Sequence, residues 1–224
     1  MGIEEGLLQV RENIASAARL SGRAYEDIRL VAVSKFKPCE DIMAAYALGV
    51  RDFGENYIQE FCGKEEALPK DILWHVIGPV QRNKVKYIVG KNAIVQTVDR
   101  LSLAQELGKY AVKRDEVIPV LLQVNTCGEE TKSGCEPDEL LKLCEDCLGI
   151  EGIRVKGVMT IGPNTDDMLE VEKCFEETNE LFQRVKAVAT EADLLSMGMT
   201  NDYMLAIKHG ANIVRVGRAI FGDR

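Results

Sequence analysis

Short apolar runs rich in β-branched residues recur along the chain, and they alternate with segments in which apolar residues return every three or four positions. The runs are typical of buried parallel strands, and the longer segments are typical of amphipathic helices. The runs predict eight strands, over residues 28–34, 52–54, 73–78, 93–98, 118–125, 155–160, 194–197 and 213–216. The longer segments predict helices over residues 3–20, 41–48, 57–67, 83–89, 101–113, 137–148, 167–189 and 201–208.

Eight strand–helix units in succession favour parallel crossover connections, and eight such units close a (β/α)8 barrel, the TIM-barrel architecture of the α/β class. An open doubly wound sheet is the competing fold, but no Gly-x-Gly-x-x-Gly motif follows the first strand to support it. Few residues follow the eighth strand, so we expect the helix over residues 3–20 to cover the place of an eighth helix. No linker or low-complexity tract divides the chain. This predicts one domain over residues 1–224 with an additional N-terminal helix.

Composition and charge narrow the classes of partner. The 224 residues include 46% hydrophobic and 29% charged residues, enough for a large core and a solvated surface. The net charge of −8 argues against nucleic acid and acidic membranes as partners, since both require a basic surface. The longest apolar stretches have the length of a strand and are too short to span a membrane. No secretory signal is visible near the start, so we expect a cytoplasmic protein.

Seven cysteines are an odd number, which favours free thiols over a disulfide framework. Cys144 and Cys147 have the C-x-x-C spacing of metal and redox motifs, but both lie in the helix predicted over residues 137–148. Two cysteines three positions apart in a helix share one face. We therefore expect them to be buried and unreactive, and no metal site is predicted.

Lys35 ends the first predicted strand and is followed by Phe36, Lys37 and Pro38. At the C-terminal tip of a parallel strand its side chain would project into the mouth of the fold, where α/β proteins place their ligands. A partly desolvated amine has a lowered pKa and can form a Schiff base with a carbonyl compound. A lysine is also an ordinary first solvated residue after a buried strand, so the rest of the chain has to decide between the two interpretations.

Polar residues also follow the second, third and fifth predicted strands. Asn56 can cap the next helix or offer its amide to a ligand, and capping is the commoner role. His75 could be a general base, but a strand histidine beside a tryptophan is more often a packed, hydrogen-bonded core residue. The loop over residues 126–136, which contains Lys132, is long enough to be functional, and a solvated surface loop is an equally good interpretation.

The ends of the seventh and eighth strands carry the most specific signal. Thr200 can act as an N-cap and leave backbone N–H groups free to receive an anion. Gly217, between Arg215 and Arg218, permits close approach of the backbone to a ligand. Loops after strands seven and eight form the recurring phosphate site of this fold. A Schiff-base lysine opposite a phosphate site describes pyridoxal 5′-phosphate (PLP), whose aldehyde and phosphate lie on opposite sides of its ring.

At these residues the chain resembles the pyridoxal phosphate homeostasis protein family, also called the YggS or proline-synthetase co-transcribed family, and it is similar to the barrel domain of bacterial alanine racemase. The matched segments are residues 31–35, 53–57, 74–84, 132–134 and 195–222. The resemblance implies that PLP binds as a Schiff base on Lys35, that Arg215 lies beside the pyridine nitrogen, and that Thr200 with the backbone of Gly217 and Arg218 holds the phosphate. It also places Asn56, Ser196 and Met199 among the cofactor-binding residues.

Arg215 bears on whether the chain is an enzyme. A guanidinium stays protonated and has no acceptor to offer, so it cannot keep the pyridine nitrogen protonated, and the cofactor is then a weaker electron sink. The resemblance to alanine racemase implies that catalysis needs a second domain with a tyrosine base, for which we see no room in this chain. We therefore expect binding without efficient catalysis and name no catalytic residue.

Three functions remain open at this point. The favoured function is intracellular PLP homeostasis, in which the protein holds PLP and hands it over, with PLP-dependent apoenzymes as possible acceptors. The first alternative is a PLP-dependent amino-acid racemase, if only a weak one, that uses the same lysine. The second is a Schiff-base aldolase that uses Lys35 without a cofactor.

Overall fold

The computed structural model describes residues 2–129 and 133–222. Within them the strands are β1 (Arg29–Val33), β2 (Asp52–Glu55), β3 (Leu73–Val76), β4 (Ala93–Val98), β5 (Ile118–Gln123), β6 (Ile153–Met159), β7 (Leu194–Ser196) and β8 (Ile213–Val216). The α-helices are α1 (Ile3–Leu20), α2 (Cys39–Ala47), α3 (Ile58–Ala67), α4 (Leu101–Val112), α5 (Leu140–Leu148), α6 (Met168–Val188), α7 (Tyr203–Lys208) and α8 (Arg218–Phe221). Short 3-10 helices cover Tyr25–Asp27, Arg82–Tyr87 and Pro137–Glu139.

The eight strands form a closed parallel barrel in the order of the sequence, from β1 to β8. Closure is made by β1 and β8, where Val31 pairs with Arg215 and Ala32 with Val216. On its other side Ala32 pairs with Phe53 of β2. The TIM-barrel prediction is confirmed, and the open doubly wound sheet is excluded because the pairing of β8 with β1 leaves no edge strand among the eight.

The hydrophobic pattern located the regular elements closely. The observed bounds of α1, β4 and β8 equal the predicted ones. The helix predicted over residues 83–89 is instead the 3-10 helix Arg82–Tyr87. Val85 and Ile88 are both fully buried. Residues three positions apart lie on the same face of a 3-10 helix, so this helix can bury both side chains at once.

Two apolar layers stabilise the barrel. The larger layer lies between the strands and the surrounding helices. A separate cluster consists of Val31, Ile94, Leu121, Met159 and Ile213. Because side chains alternate along each strand, these five residues point to the inside of the barrel and fill it. Within the described residues, no helix is both long and apolar enough to cross a membrane.

The N-terminal helix takes the place of a full eighth helix, as the sequence predicted. The α8 helix is only four residues long, and α1 packs against both α7 and α8. The contact is close, because a Cβ atom on Gly6 would lie 2.3 Å from the carbonyl oxygen of Ala219. Asn13 of α1 also donates a hydrogen bond of 2.9 Å to the hydroxyl of Tyr203.

Candidate functional site

A cleft of about 1060 Å³ opens at the C-terminal ends of the strands, the face on which this fold places its ligands. Seven of the eight predicted cofactor-binding residues line it: Lys35, Asn56, Met199, Thr200, Arg215, Gly217 and Arg218. Arg215 lies in β8 itself, and the other six come from the turns after β1, β2, β7 and β8. The barrel therefore brings the predicted amine and the predicted anion-binding turns into one cavity.

Lys35 is half-buried in a tight turn after β1. The turn is closed by the N–H of Lys37, which donates to the carbonyl oxygen of Ser34 over 2.9 Å. Phe36, which is half-exposed, has a φ of +63°, a left-handed conformation that a bulky side chain rarely adopts. The Lys37 ammonium donates to the carbonyl oxygen of Phe221 over 2.9 Å, which draws the end of α8 to the rim of the cleft.

A buried group of charged residues lies under this turn. The Lys64 ammonium donates to the carbonyl oxygen of Ser34 over 2.8 Å, to Oε1 of Glu55 over 2.8 Å and to Oε1 of Glu60 over 2.6 Å. Glu55 is buried, and removal from water raises the pKa of its carboxyl, although bonds from Lys64 and Ser34 oppose the shift. Its second oxygen, Oε2, is buried and accepts no hydrogen bond within the described chain.

Backbone N–H groups in the turns after β7 and β8 provide the anion-binding capacity of the cleft. Within the described part of the chain, the N–H groups of Thr200, Gly217 and Arg218 donate no hydrogen bond. Gly217 lies against β1, where a Cβ atom would come within 3.2 Å of the carbonyl oxygen of Val33. Unpaired N–H groups beside a hydroxyl suit a phosphate or another oxyanion.

The prediction that Thr200 caps α7 is wrong. Asp202 precedes the helix, and its carboxylate accepts the N–H of Met199. This bond closes the turn after β7 and leaves the hydroxyl of Thr200 for the cleft. Gly198 makes the turn possible with a φ of +92°, where a Cβ atom would lie 2.5 Å from that of Ala206. Burial raises the pKa of the Asp202 carboxyl, although the Met199 N–H and the nearby Arg215 oppose the shift.

Arg215 lies at the floor of the cleft and is almost entirely buried. Its Nη1 donates to the hydroxyl of Ser196 over 2.6 Å, and its Nη2 donates to the carbonyl oxygen of Thr160 over 2.7 Å. Burial lowers the pKa of the guanidinium to about 10, with a nearby carboxylate at Asp202 opposing the shift. Arg215 therefore remains a cation at neutral pH.

Ser196, the eighth predicted site residue, does not line the cleft. It is fully buried behind Arg215, accepts the guanidinium and donates its own proton to Oε1 of Gln96 over 2.6 Å. The amide nitrogen of Gln96 lies 2.7 Å from Nδ1 of His75, and Nε2 of His75 lies 2.8 Å from the Asp52 carboxylate. A carboxylate accepts only, so Nε2 carries the proton and Nδ1 accepts from Gln96.

These residues form one hydrogen-bonded series, Arg215–Ser196–Gln96–His75–Asp52, in which the first four side chains are buried and Asp52 is partly exposed. Every donor in it points toward Asp52, at the start of β2 and the opposite end of the barrel from the cleft. Burial lowers the pKa of His75, although the bond to Asp52 opposes the shift, so the imidazole is neutral. The interpretation of His75 as a packed, hydrogen-bonded core residue is confirmed.

Asn56 does not have the capping role that we favoured. The α3 helix begins at Ile58 after Tyr57, no side chain caps it, and Asn56 faces the cleft. In the loop after β5, the amides of Gln123 and Asn125 donate to carbonyl oxygens of the loop itself. They stabilise that loop and do not line the cleft. Lys132, which the resemblance also included, lies outside the described residues.

The cysteines behave as predicted. No disulfide joins any two of the seven, all of which lie in the described part of the chain. Cys144 and Cys147 are buried on one face of α5. Burial raises their thiol pKa values to about 11 and about 12, which makes both unreactive at neutral pH.

Sequence reasoning missed one wall of the cleft. Asn164, Thr165 and Asp166, from the loop after β6, line it together with Asn201 and Asp202. The available signal was the run of polar residues 164–166 between β6 and α6. The sequence did not distinguish these residues from the polar start of a helix, because Asp167 follows them and caps α6 by accepting the N–H of Leu169.

Known proteins resemble this chain in sequence and in fold. The family model of the alanine racemase N-terminal domain matches residues 7–224. The pyridoxal phosphate homeostasis protein of Aquifex aeolicus (strain VF5) is 42% identical, over 98% of this chain and 97% of that protein. PipY of Synechococcus elongatus PCC7942, solved with PLP bound, is 32% identical, with a TM-score of 0.79 over 93% of this chain and all of that one.

A more distant solved structure concerns the fold alone. Alanine racemase from Clostridium difficile 630 has a TM-score of 0.83 but is only 15% identical. The match covers all of this chain and 60% of the racemase. It supports the barrel architecture and carries no information about activity.

Proposed function

The chain belongs to the alanine racemase N-terminal domain family, and from that premise we propose that it binds PLP in the cleft and serves PLP homeostasis. The proposal is supported by the relatives named as pyridoxal phosphate homeostasis proteins and by PipY, which was solved with PLP bound. The observation that carries it is the convergence, in one cleft, of Lys35 with three unpaired backbone N–H groups and a buried guanidinium.

The cleft contains the chemical groups that binding of PLP requires. A phosphate needs several hydrogen-bond donors, which Thr200, Gly217 and Arg218 offer from two neighbouring turns. A pyridine nitrogen is an acceptor, and Arg215 presents a guanidinium that can only donate. An aldehyde needs an amine, and Lys35 carries one in the turn after β1. PLP, when bound, supplies a reactive aldehyde and an electron-accepting ring.

Lys35 is proposed to hold the ligand covalently. Lys35 would supply the amine, and PLP, when bound, would supply the aldehyde with which that amine condenses with loss of one water molecule. Lys37 is the second amine in the cleft, but it is engaged with the carbonyl oxygen of Phe221. The two lysines therefore provide a matched pair for a test.

The choice of a carrier over an enzyme rests on the groups around Arg215. Its two described hydrogen bonds go to Ser196 and Thr160, and as a cation it offers no proton acceptor. Racemisation also needs a base on each side of the substrate carbon. Among the described residues that line the cleft, none is a tyrosine, histidine or cysteine. These features favour storage and release of PLP, with PLP-dependent apoenzymes as the proposed acceptors.

The first experiment locates the attachment. The purified protein is incubated with PLP, reduced with borohydride and digested, and mass spectrometry finds the modified peptide. We expect the label on Lys35, its loss in Lys35→Ala, and its retention in the matched control Lys37→Ala. Labelling mainly at Lys84 or Lys132 would contradict the proposed site.

A second experiment separates a carrier from an enzyme. The PLP-loaded protein is incubated with single-enantiomer amino acids and analysed by chiral chromatography, and transfer of PLP to an apoenzyme is measured by recovery of the acceptor's activity. We expect transfer without racemisation. Turnover on the order of 1–10³ per second, the usual range of enzymes, would establish the racemase alternative. A Schiff base formed with a carbonyl substrate in the absence of PLP would favour the aldolase.

A further inference from the structure

The turn that carries Lys35 is held from both sides by one helix. Phe36, on one side of Lys35, has its N–H bonded to Oε1 of Glu60 over 2.6 Å. Ser34, on the other side, has its carbonyl oxygen bonded to the ammonium of Lys64 over 2.8 Å. Glu60 and Lys64 lie four residues apart on α3 and bond to each other over 2.6 Å. The two side chains, which we call the α3 pair, thus bracket the Lys35 peptide.

The backbone conformation between these two bonds is an unfavourable one. Phe36 and Asp115 are the two non-glycine residues with positive φ in the described chain. A phenylalanine does not adopt this conformation unless its surroundings impose it. The turn is closed between Ser34 and Lys37, so flipping the central peptide would change the sign of φ at Phe36 and turn its N–H away from Glu60. The hydrogen bond and the unusual φ are therefore parts of one arrangement.

The buried charge of Lys64 also helps to hold this turn. Lys64 is 7% exposed and donates its three protons to Ser34, Glu55 and Glu60. A buried ion pair contributes little to stability compared with apolar packing, so its presence calls for a reason other than stability. Lys64 satisfies a backbone acceptor that lies directly before Lys35, which an apolar residue could not do.

We propose that Glu60 and Lys64 are positioning residues for Lys35: they impose the left-handed conformation at Phe36 and so direct the Lys35 amine into the cleft. The inference deepens the proposed function and rests on it, since Lys35 is the proposed point of attachment. Loss of the α3 pair leaves the amine present but free to sample other directions, and misdirection of a nucleophile slows its reaction.

The first test compares two substitutions at one position. Glu60→Gln keeps an oxygen that accepts the Phe36 N–H, whereas Glu60→Leu removes it. The rate of borohydride-trapped PLP attachment to Lys35 is measured at saturating PLP. We expect Glu60→Leu to lower the rate about tenfold and Glu60→Gln to lower it less than about threefold. Lys70→Met, which removes an ion pair with Glu65 remote from the turn, is the control and should leave the rate unchanged.

The second test uses the conformation itself. Phe36→Gly removes the penalty for positive φ, so the turn depends less on its hydrogen bond. In the Phe36→Gly background we expect Glu60→Leu to lower the rate no more than about twofold. The effects of the two substitutions would then be non-additive in a double-mutant cycle. An equal loss in both backgrounds would overturn the inference, as would an unchanged rate in Glu60→Leu. Urea unfolding of each variant establishes that it is folded.

A probe without phosphate separates this inference from the proposed function. Formaldehyde with cyanoborohydride methylates Lys35 whether or not the protein binds PLP, and mass spectrometry measures the rate at Lys35 relative to Lys37. We expect Glu60→Leu to change this ratio, and Glu60→Gln to preserve it. If wild-type Lys35 does not react with PLP but the ratio changes as expected, the proposed function fails and the positioning role stands. An unchanged ratio overturns the positioning role.

Discussion

Ser196→Ala tests whether Ser196 contacts a ligand or supports Arg215 from behind. Its hydroxyl accepts from Arg215 and donates to Gln96, each over 2.6 Å. Removing it leaves a buried guanidinium N–H and a buried amide oxygen without these partners, and each such loss costs about 1–3 kcal/mol. Some relaxation will recover part of that cost. We therefore expect the free energy of unfolding to fall by about 3 kcal/mol.

The measurement is urea unfolding of the PLP-free protein, followed by the fluorescence of Trp74, the single tryptophan, which is buried. Thr200→Ala is the matched control, because its hydroxyl faces the cleft and forms no hydrogen bond within the described residues. It should change unfolding by less than about 0.5 kcal/mol but weaken PLP retention by about 1.5–3 kcal/mol. If Ser196→Ala leaves unfolding unchanged and weakens PLP retention as Thr200→Ala does, the supporting role is refuted.

Two further predictions concern stability. Burial lowers the pKa of His75, so below about pH 6.5 the unfolded chain binds a proton that the native state does not. As the pH decreases from 6.5, stability should fall by up to about 1.4 kcal/mol per pH unit more in the wild type than in His75→Gln; equal slopes in the two proteins would contradict the assignment. Gly157→Ala would place a Cβ atom 1.7 Å from the carbonyl oxygen of Leu194, between β6 and β7, and should cost more than about 3 kcal/mol in urea unfolding. Gly63→Ala, with open space in α3, should instead stabilise by about 0.5–1 kcal/mol, and similar effects at the two glycines would refute the steric argument.

The sequence was sufficient to predict the barrel because strands such as β4 and β8 are buried on both faces and read as largely apolar runs. All six residues of β4 are buried, and its predicted bounds match the observed ones. The position of Lys35 followed from the same logic, since the end of a parallel strand is fixed once the strand is found. Its cofactor-binding role is still a prediction.

What the sequence could not predict depends on contacts between distant residues. Ser196 and Gln96 are 100 positions apart, and only barrel closure makes them neighbours. Glu60 reaches the N–H of Phe36 from 24 positions away, so nothing local distinguishes it from a surface helix residue. The cap of α7 was misassigned because Thr200 and Asp202 are both common capping residues, and the choice depends on how the turn after Gly198 is closed.

The packing of α1 against α7 and α8 links ligand binding to the order in which the chain is synthesised. Because synthesis proceeds from the N-terminal side, the apolar face of α1, including Leu7, Val10 and Ile14, leaves the ribosome well before its partners in α7 and α8. Gly217 and Arg218 emerge together with those partners. A nascent or truncated chain therefore has Lys35 but neither the barrel closure nor the second anion-binding turn. Until α7 and α8 are in place, the apolar face of α1 is exposed and can be bound by chaperones, and the cleft is incomplete.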